Sequence, residues 1–132
     1  MGVLDVEIST IEWDIIDECT LSEWYIAQVF VKLFPNEFQY SGSKKWMVWD
    51  STNNDWKLDT NLHQLKARMR YDLARKVMER AKYWQQKVAT KEVADMHTAS
   101  TMIQRLLTIS QKLQMDPFVN KIIRELQEHY CG

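Results

Sequence analysis

LHQLKARMRYDLARKVMERAKYWQQKV, residues 62–88, decides the fold class. Leu62, Leu65, Met69, Leu73, Val77, Ala81, Trp84 and Val88 recur at three- and four-residue steps. That spacing puts side chains on one face of a helix, so one long amphipathic helix is expected. Asp59, Thr60 or Asn61 can cap its start. A break is expected around Ala89 to Glu92, and then a second run with Met96, Ala99, Ile103, Leu106, Ser110 and Leu113 close to a heptad seam. Asp116–Pro117 restarts the helical pattern, with Asp as N-cap and Pro at the first helical position. The last helix carries Val119, Ile122, Ile123, Leu126 and Tyr130.

Upstream of the long helix the period changes. EFQY, WMVWD and WKLD, separated by SGSKK and STNND, read as three short strands joined by polar turns. Alternation sends Trp46 and Val48 to one face and Met47 and Trp49 to the other. A three-strand meander is too small to stand alone, so one face is expected to pack on the helices. Before it, TLSE offers a capping box with Thr20 as N-cap and Glu23 three residues on. Ile26, Val29, Phe30, Leu33 and Phe34 then mark a helix face that Pro35 and Asn36 end. Residues 3–18 mix acids and aliphatics without a clean period, as a short strand or an arm that orders on docking would. The predicted fold is mainly α with a small antiparallel β-meander: an acidic arm or linker over 1–19, then a helical bundle over 20–132 with the β insert at 38–59.

A chain of 132 residues, 45% apolar, suits one domain with its own core. It holds no 18-residue apolar run, so no membrane partner is expected. The acidic start is unlike a secretory signal, and Val6 sits where a myristoylation site wants Ser or Thr. Cys19 and Cys131 make neither a disulfide framework nor a zinc site, so a reducing, cytoplasmic setting is expected. The net charge of −1 conceals a polarity. Residues 1–23 carry seven acids and no Lys or Arg, whereas residues 62–91 carry nine bases against Asp72 and Glu79, a net +7. Such asymmetry speaks of a polyanionic partner or of the chain's own acidic arm.

Catalysis finds little support. His63, His97 and His129 are scattered and form no metal spacing, and the chain has no phosphate loop, dinucleotide fingerprint or nucleophile elbow. No cofactor or metal is expected. The basic helix is more informative. Arg68, Arg75 and Lys82 recur every seventh position opposite the apolar stripe, and Arg70, Lys76, Arg80, Lys87 and Lys91 flank it. A row of bases can track a phosphate backbone. The same row can equally be a solvated face or pair with the acidic arm. Trp46, Trp49 and Trp56, with Tyr40, either stack bases or form a core between hairpin and helices; alternation onto both faces favours core.

TLSEWYIAQVFVKLF followed by FQYSGSKKWMVWDSTNNDWKLD and long helices resembles the domain that precedes the helicase core in poxvirus-type primase-helicases, found also in other large DNA viruses, phages and plasmids. The family pattern is an "iA..f" helix, a Tyr, a "W..yd" strand, a turn and a "W..D" strand. Here these fall on Ile26-Ala27, Phe30, Tyr40, Trp46, Trp49-Asp50, Trp56 and Asp59. The match covers roughly residues 20–130. It implies an excised domain or truncated relative of a superfamily-3 AAA+ helicase, with the ATP site downstream. The expected role is non-catalytic: contact with single-stranded or forked DNA through Arg68, Arg70, Arg75, Lys76, Arg80, Lys82 and Lys87, together with coupling or assembly of the helicase. Expected partners are DNA, the helicase and primase regions of the parent chain, and further copies in a homo-oligomer. The alternative is a protein-interaction module whose 96–113 seam pairs with a partner helix.

Overall fold

The structure, a computed structural model, describes residues 13–41 and 43–131. Helix α1 (Glu23–Leu33) buries Ile26, Ala27, Val29 and Phe30, and Ser22 caps it by accepting from the Tyr25 N–H. The cap predicted at Thr20 thus moves by two residues. Thr20 Oγ1 instead accepts from the Ser22 N–H at 3.3 Å and steadies the approach.

Strands β1 (Phe38–Tyr40), β2 (Trp46–Asp50) and β3 (Asp55–Leu58) form an antiparallel meander in that order. The register sets Phe38 against Val48 and Tyr40 against Trp46 on the inner face. On the outer face Met47 lies against Leu58 and Trp49 against Trp56. Phe38 and Trp46 join the core with Phe30, Phe34 and Tyr130. The phenol of Tyr130 donates to the Phe34 carbonyl at 2.7 Å, and its own carbonyl accepts from the Tyr40 N–H at 2.8 Å. Cys131 then bridges to Tyr40 in parallel, so the end of the described chain closes the edge of the sheet.

Between β3 and the long helix the backbone turns sharply. Within a 3₁₀ turn (Thr60–Leu62), Asn61 and Leu62 adopt left-handed φ values of 57° and 59°. A left-handed residue with a Cβ costs about 1–2 kcal/mol, less for Asn. Asp59 offsets that cost: its two carboxylate oxygens accept from the Gln64 and Leu65 N–H groups at 2.8 and 2.9 Å. Each bond to a charged acceptor is worth about 1.5–3 kcal/mol, so the turn is held. Of the three caps predicted for this helix, Asp59 is the one that works.

Helix α2 (His63–Ala67) runs through a π-helical turn (Arg68–Leu73) into α3 (Ala74–Ala89). Leu65, Met69, Leu73, Val77 and Ala81 all lie in the core. Their spacing explains the π turn. Each four-residue step overshoots a full α-helical turn by about 40°, so four such steps would carry the stripe about 160° around the helix. A π turn takes in an extra residue and cancels part of that drift. The expected single α-helix is therefore a helix with one wide turn.

Helices α4 (Met96–Lys112) and α5 (Asp116–His129) complete the bundle, α4 packing on α3 and α5 on α1. Asp95 caps α4, accepting from the His97 N–H at 3.0 Å and the Thr98 hydroxyl at 2.7 Å. Helix α5 begins at Asp116 itself; Met115, extended and without a side-chain bond, occupies the cap position predicted for Asp116. The 96–113 seam, read as a surface for a partner helix, is corrected. Ile103, Leu106, Ile109 and Leu113 are buried within this chain, and Ser110 donates to the Ala74 carbonyl. The 1–19 arm also divides. Residues 1–12 lie outside the described residues, whereas 13–17 are helical, and Ile16 and Cys19 sit in the core. Burial pushes the Cys19 thiol up to about 12, with Arg105 pulling weakly the other way.

Candidate nucleic-acid interface

The cations predicted to face DNA have several different situations. Arg80 forms a two-pronged pair with Asp17, Nε and Nη2 donating at 2.8 and 2.7 Å. Its guanidinium also lies 4.2 Å from the Tyr83 ring centre and 4.9 Å from that of Trp84. Trp84 Nε1 donates to the same carboxylate, and Arg105 donates to the Asp17 carbonyl. Asp17 is therefore a knot between the 13–19 segment, α3 and α4, and Arg80 is part of the framework. Arg68 is likewise engaged. It donates to Glu37 at 2.8 Å and Asp72 at 3.0 Å and lies over the Phe34 ring, tying the entry to β1 against the π turn.

The remaining cations are held more loosely. Arg70 pairs with Asp116, and Lys87 pairs with Glu92 at 3.6 Å. Arg75 is exposed, 3.5 Å from Asp72 and 4.0 Å from Glu79. Lys76 is half-buried and holds a contact of its own. Lys82 is exposed and, among the described residues, forms no ion pair. Among the described residues, four acids from outside segment 62–91, Asp17, Glu37, Glu92 and Asp116, pair with four of its nine bases. Those pairs offset more than half of the segment's net +7. They also break up the continuous row that the heptad spacing of Arg68, Arg75 and Lys82 predicts.

The aromatic pattern resolves into separate duties. Trp46, 5% exposed, is a core residue packed on Tyr40 and Tyr130. Trp49, 38% exposed, meets Trp56 edge to face on the outer sheet surface, ring centres 5.3 Å apart. Asp50 organises the β2–β3 turn. It pairs with Lys57 at 2.9 Å and accepts from the Asn53 side chain at 2.8 Å and the Thr52 N–H at 3.0 Å. The Lys57 ammonium, helped by Asn53, holds its carboxyl down to about 2. Asp59 is the helix cap described above. Core and turn duties thus account for Tyr40, Trp46, Asp50 and Asp59, and only the Trp49–Trp56 pair faces outward.

The structure also brings Arg70 together with residues that spacing did not single out. An open cleft of about 710 Å³ lies between β3 and the start of the long helix. Lys57, His63, Lys66, Arg70 and Tyr71 reach it, over an apolar floor that includes Val48 and Ala67. Tyr71 is 69% exposed. The single acid on its wall, Asp59, is buried, with both oxygens bound to backbone N–H groups. The cleft therefore presents positive charge without an exposed carboxylate of its own. Its sequence signal was the unbroken run of four-residue steps from Leu65 to Ala81. That run calls for a wide turn, and a wide turn brings Tyr71 toward the face that Lys66 and Arg70 already share. Among the described residues, no helix is long and apolar enough to cross a membrane. Set against protein-family models, curated proteins and solved structures, the chain matches none of them.

Proposed function

We propose that this chain is a non-catalytic domain that contacts nucleic acid, working beside a replicative primase-helicase core of the viral or phage type. The observation that carries the contact is the set Lys66, Arg75 and Lys82 in segment 62–91: among the described residues Lys66 and Lys82 form no ion pair, and exposed Arg75 forms only surface ones. The placement beside a helicase rests on the hairpin pattern from Tyr40 to Asp59. The duties of Trp46, Asp50 and Asp59 in core, turn and cap give that pattern a physical reason. They make it a signature of architecture, and DNA contact falls to other residues.

The test is fluorescence anisotropy of labelled single-stranded, duplex and forked DNA at low and near-physiological salt. Binding that weakens steeply with salt and disappears when Lys66, Arg75 and Lys82 are together reversed to Glu is the expected result. Reversal at Arg80 is not a usable probe, because it would break the Asp17 knot. Absence of binding at low salt would overturn the reading.

A second reading, a protein-contact module, now rests on the outer sheet face. There Met47, Leu58, Trp49 and Trp56 form an apolar surface, Leu58 and Trp49 exposed. It predicts that Trp49→Ala changes association with a helicase or primase partner and leaves DNA affinity unaltered.

A further inference from the structure

We infer that the cleft between β3 and the π turn is the binding site, and that it takes a short run of single-stranded nucleic acid with one base stacked on Tyr71. This rests on the nucleic-acid reading above and relocates it, from the outer row of α3 to the cleft at the start of the long helix.

Three observations converge there. Lys57, His63, Lys66 and Arg70 line one concave surface. No exposed carboxylate belongs to its wall, since Asp59 is spent on the Gln64 and Leu65 amides. Lys57 and Arg70 do have acid partners, Asp50 and Asp116. Each pair has one solvent-exposed partner, Lys57 at 62% and Asp116 at 66%, so a phosphate can compete with the acid for the cation. Lys66 has no ion pair among the described residues.

The aromatic member selects the strand type. Tyr71 holds a large exposed ring at the cleft edge with no ring partner of its own among the described residues. A base can stack on such a ring only when it is unpaired, which favours single strands over duplex. The cations then follow the backbone on either side. The pull on phosphate comes from side chains, because the first amides of the helix are already capped by Asp59.

The experiment is anisotropy of a short fluorescein-labelled oligothymidylate against the whole chain, with three variants. Lys57→Glu combined with Lys66→Glu strips the cleft of charge, and Tyr71→Ala removes the ring. Arg75→Glu combined with Lys82→Glu strips the outer row of α3. Three phosphate contacts predict an affinity loss of about 20-fold between 50 and 200 mM salt. The cleft variants are expected to weaken binding by about tenfold or more, Tyr71→Ala by about tenfold, and the outer-row variant by less than about threefold. The altered side chains are exposed or partly so, and a circular dichroism melt checks that each variant folds.

Binding lost in the outer-row variant and kept in the cleft variants would overturn the cleft and leave the nucleic-acid reading standing. Equal competition by duplex, with Tyr71→Ala inert, would overturn the stacked single strand. Displacement by thymidine triphosphate as effective as by the oligonucleotide would overturn a strand in favour of a free nucleotide. No binding by the wild type at low salt would overturn both readings.

Discussion

Replacing Asp17 by Ala should be among the most damaging single changes that the described surface allows. The substitution removes both carboxylate bonds to Arg80 and the bond from Trp84 Nε1. It leaves a guanidinium whose side chain is only 11% exposed facing no acid, the Asp17 side chain having been 16% exposed. Breaking a buried pair from one side costs about 3–5 kcal/mol. Arg80 keeps its ring contacts with Tyr83 and Trp84 and a little solvent, which places the cost near the low end, about 3 kcal/mol. For a chain of this size that corresponds to a fall in Tm of about 12 °C. Thermal melting followed by circular dichroism reads the loss, and a cycle with Arg80→Met reads its origin. The double variant should be at least about 1.5 kcal/mol better than the sum of the singles, because no charge is then left unanswered. A Tm within about 2 °C of wild type for Asp17→Ala, or a cycle additive within about 0.5 kcal/mol, would refute the knot.

Asp59→Ala should cost about 2–3 kcal/mol and speed hydrogen exchange at the Gln64 and Leu65 amides; unchanged exchange there would contradict the cap. The Asp50 carboxyl, held down to about 2 by Lys57 and Asn53, is lower in the folded than in the unfolded chain. Its contribution is therefore complete above the ordinary carboxylate pKa of about 4 and drains away as pH falls through about 2. A carbon-13 titration of that carboxyl with a midpoint near 4 would sink this account of the turn. With a disulfide reagent such as Ellman's, exposed Cys131 should react in the native chain and buried Cys19 only on unfolding, its thiol being held protonated by burial. Equal rates for the two would contradict the placement of residues 13–19 in the core.

Where the sequence was readable, a local period carried the information. The steps from Leu65 to Ala81 mark a helix, and the alternation through Trp46 to Trp49 marks a strand with two faces, whatever lies elsewhere in the chain. The strands read as EFQY, WMVWD and WKLD fall at 38–40, 46–50 and 55–58, within one residue, because the polar turns between them are local signals. Long-range pairing is different in kind. Composition displays an acidic start and a basic helix, but only the fold selects Asp17 for Arg80 and Glu37 for Arg68, partners 63 and 31 residues apart. The same limit applies to the 96–113 seam, whose apolar spacing is identical whether its mate is α3 or another chain. The left-handed pair Asn61–Leu62 left no local mark either, because Leu there is tolerated only through the bonds that Asp59 makes beyond it. Of the cleft, only the helical wall was legible: Lys57 and Lys66 belong to different elements, and the turn at Asp59 brings them together.

The wide turn over Arg68–Leu73 has a consequence for how this chain tolerates change. Loss of a single residue there would let the backbone close into an ordinary α-helix with every hydrogen bond intact, so the helix itself would not object. Leu65 would then stand eleven α-helical residues before Val77, only about 20° out of phase with it. It would stay in the interior, Asp59 would still face the amides it holds, and the meander would keep its seat on Phe30 and Tyr130. Straightening the turn with every residue kept is the change the fold would resist, because twelve α-helical residues would set Leu65 about 120° away from Val77. The interval can therefore lose a residue together with its width, but neither one alone.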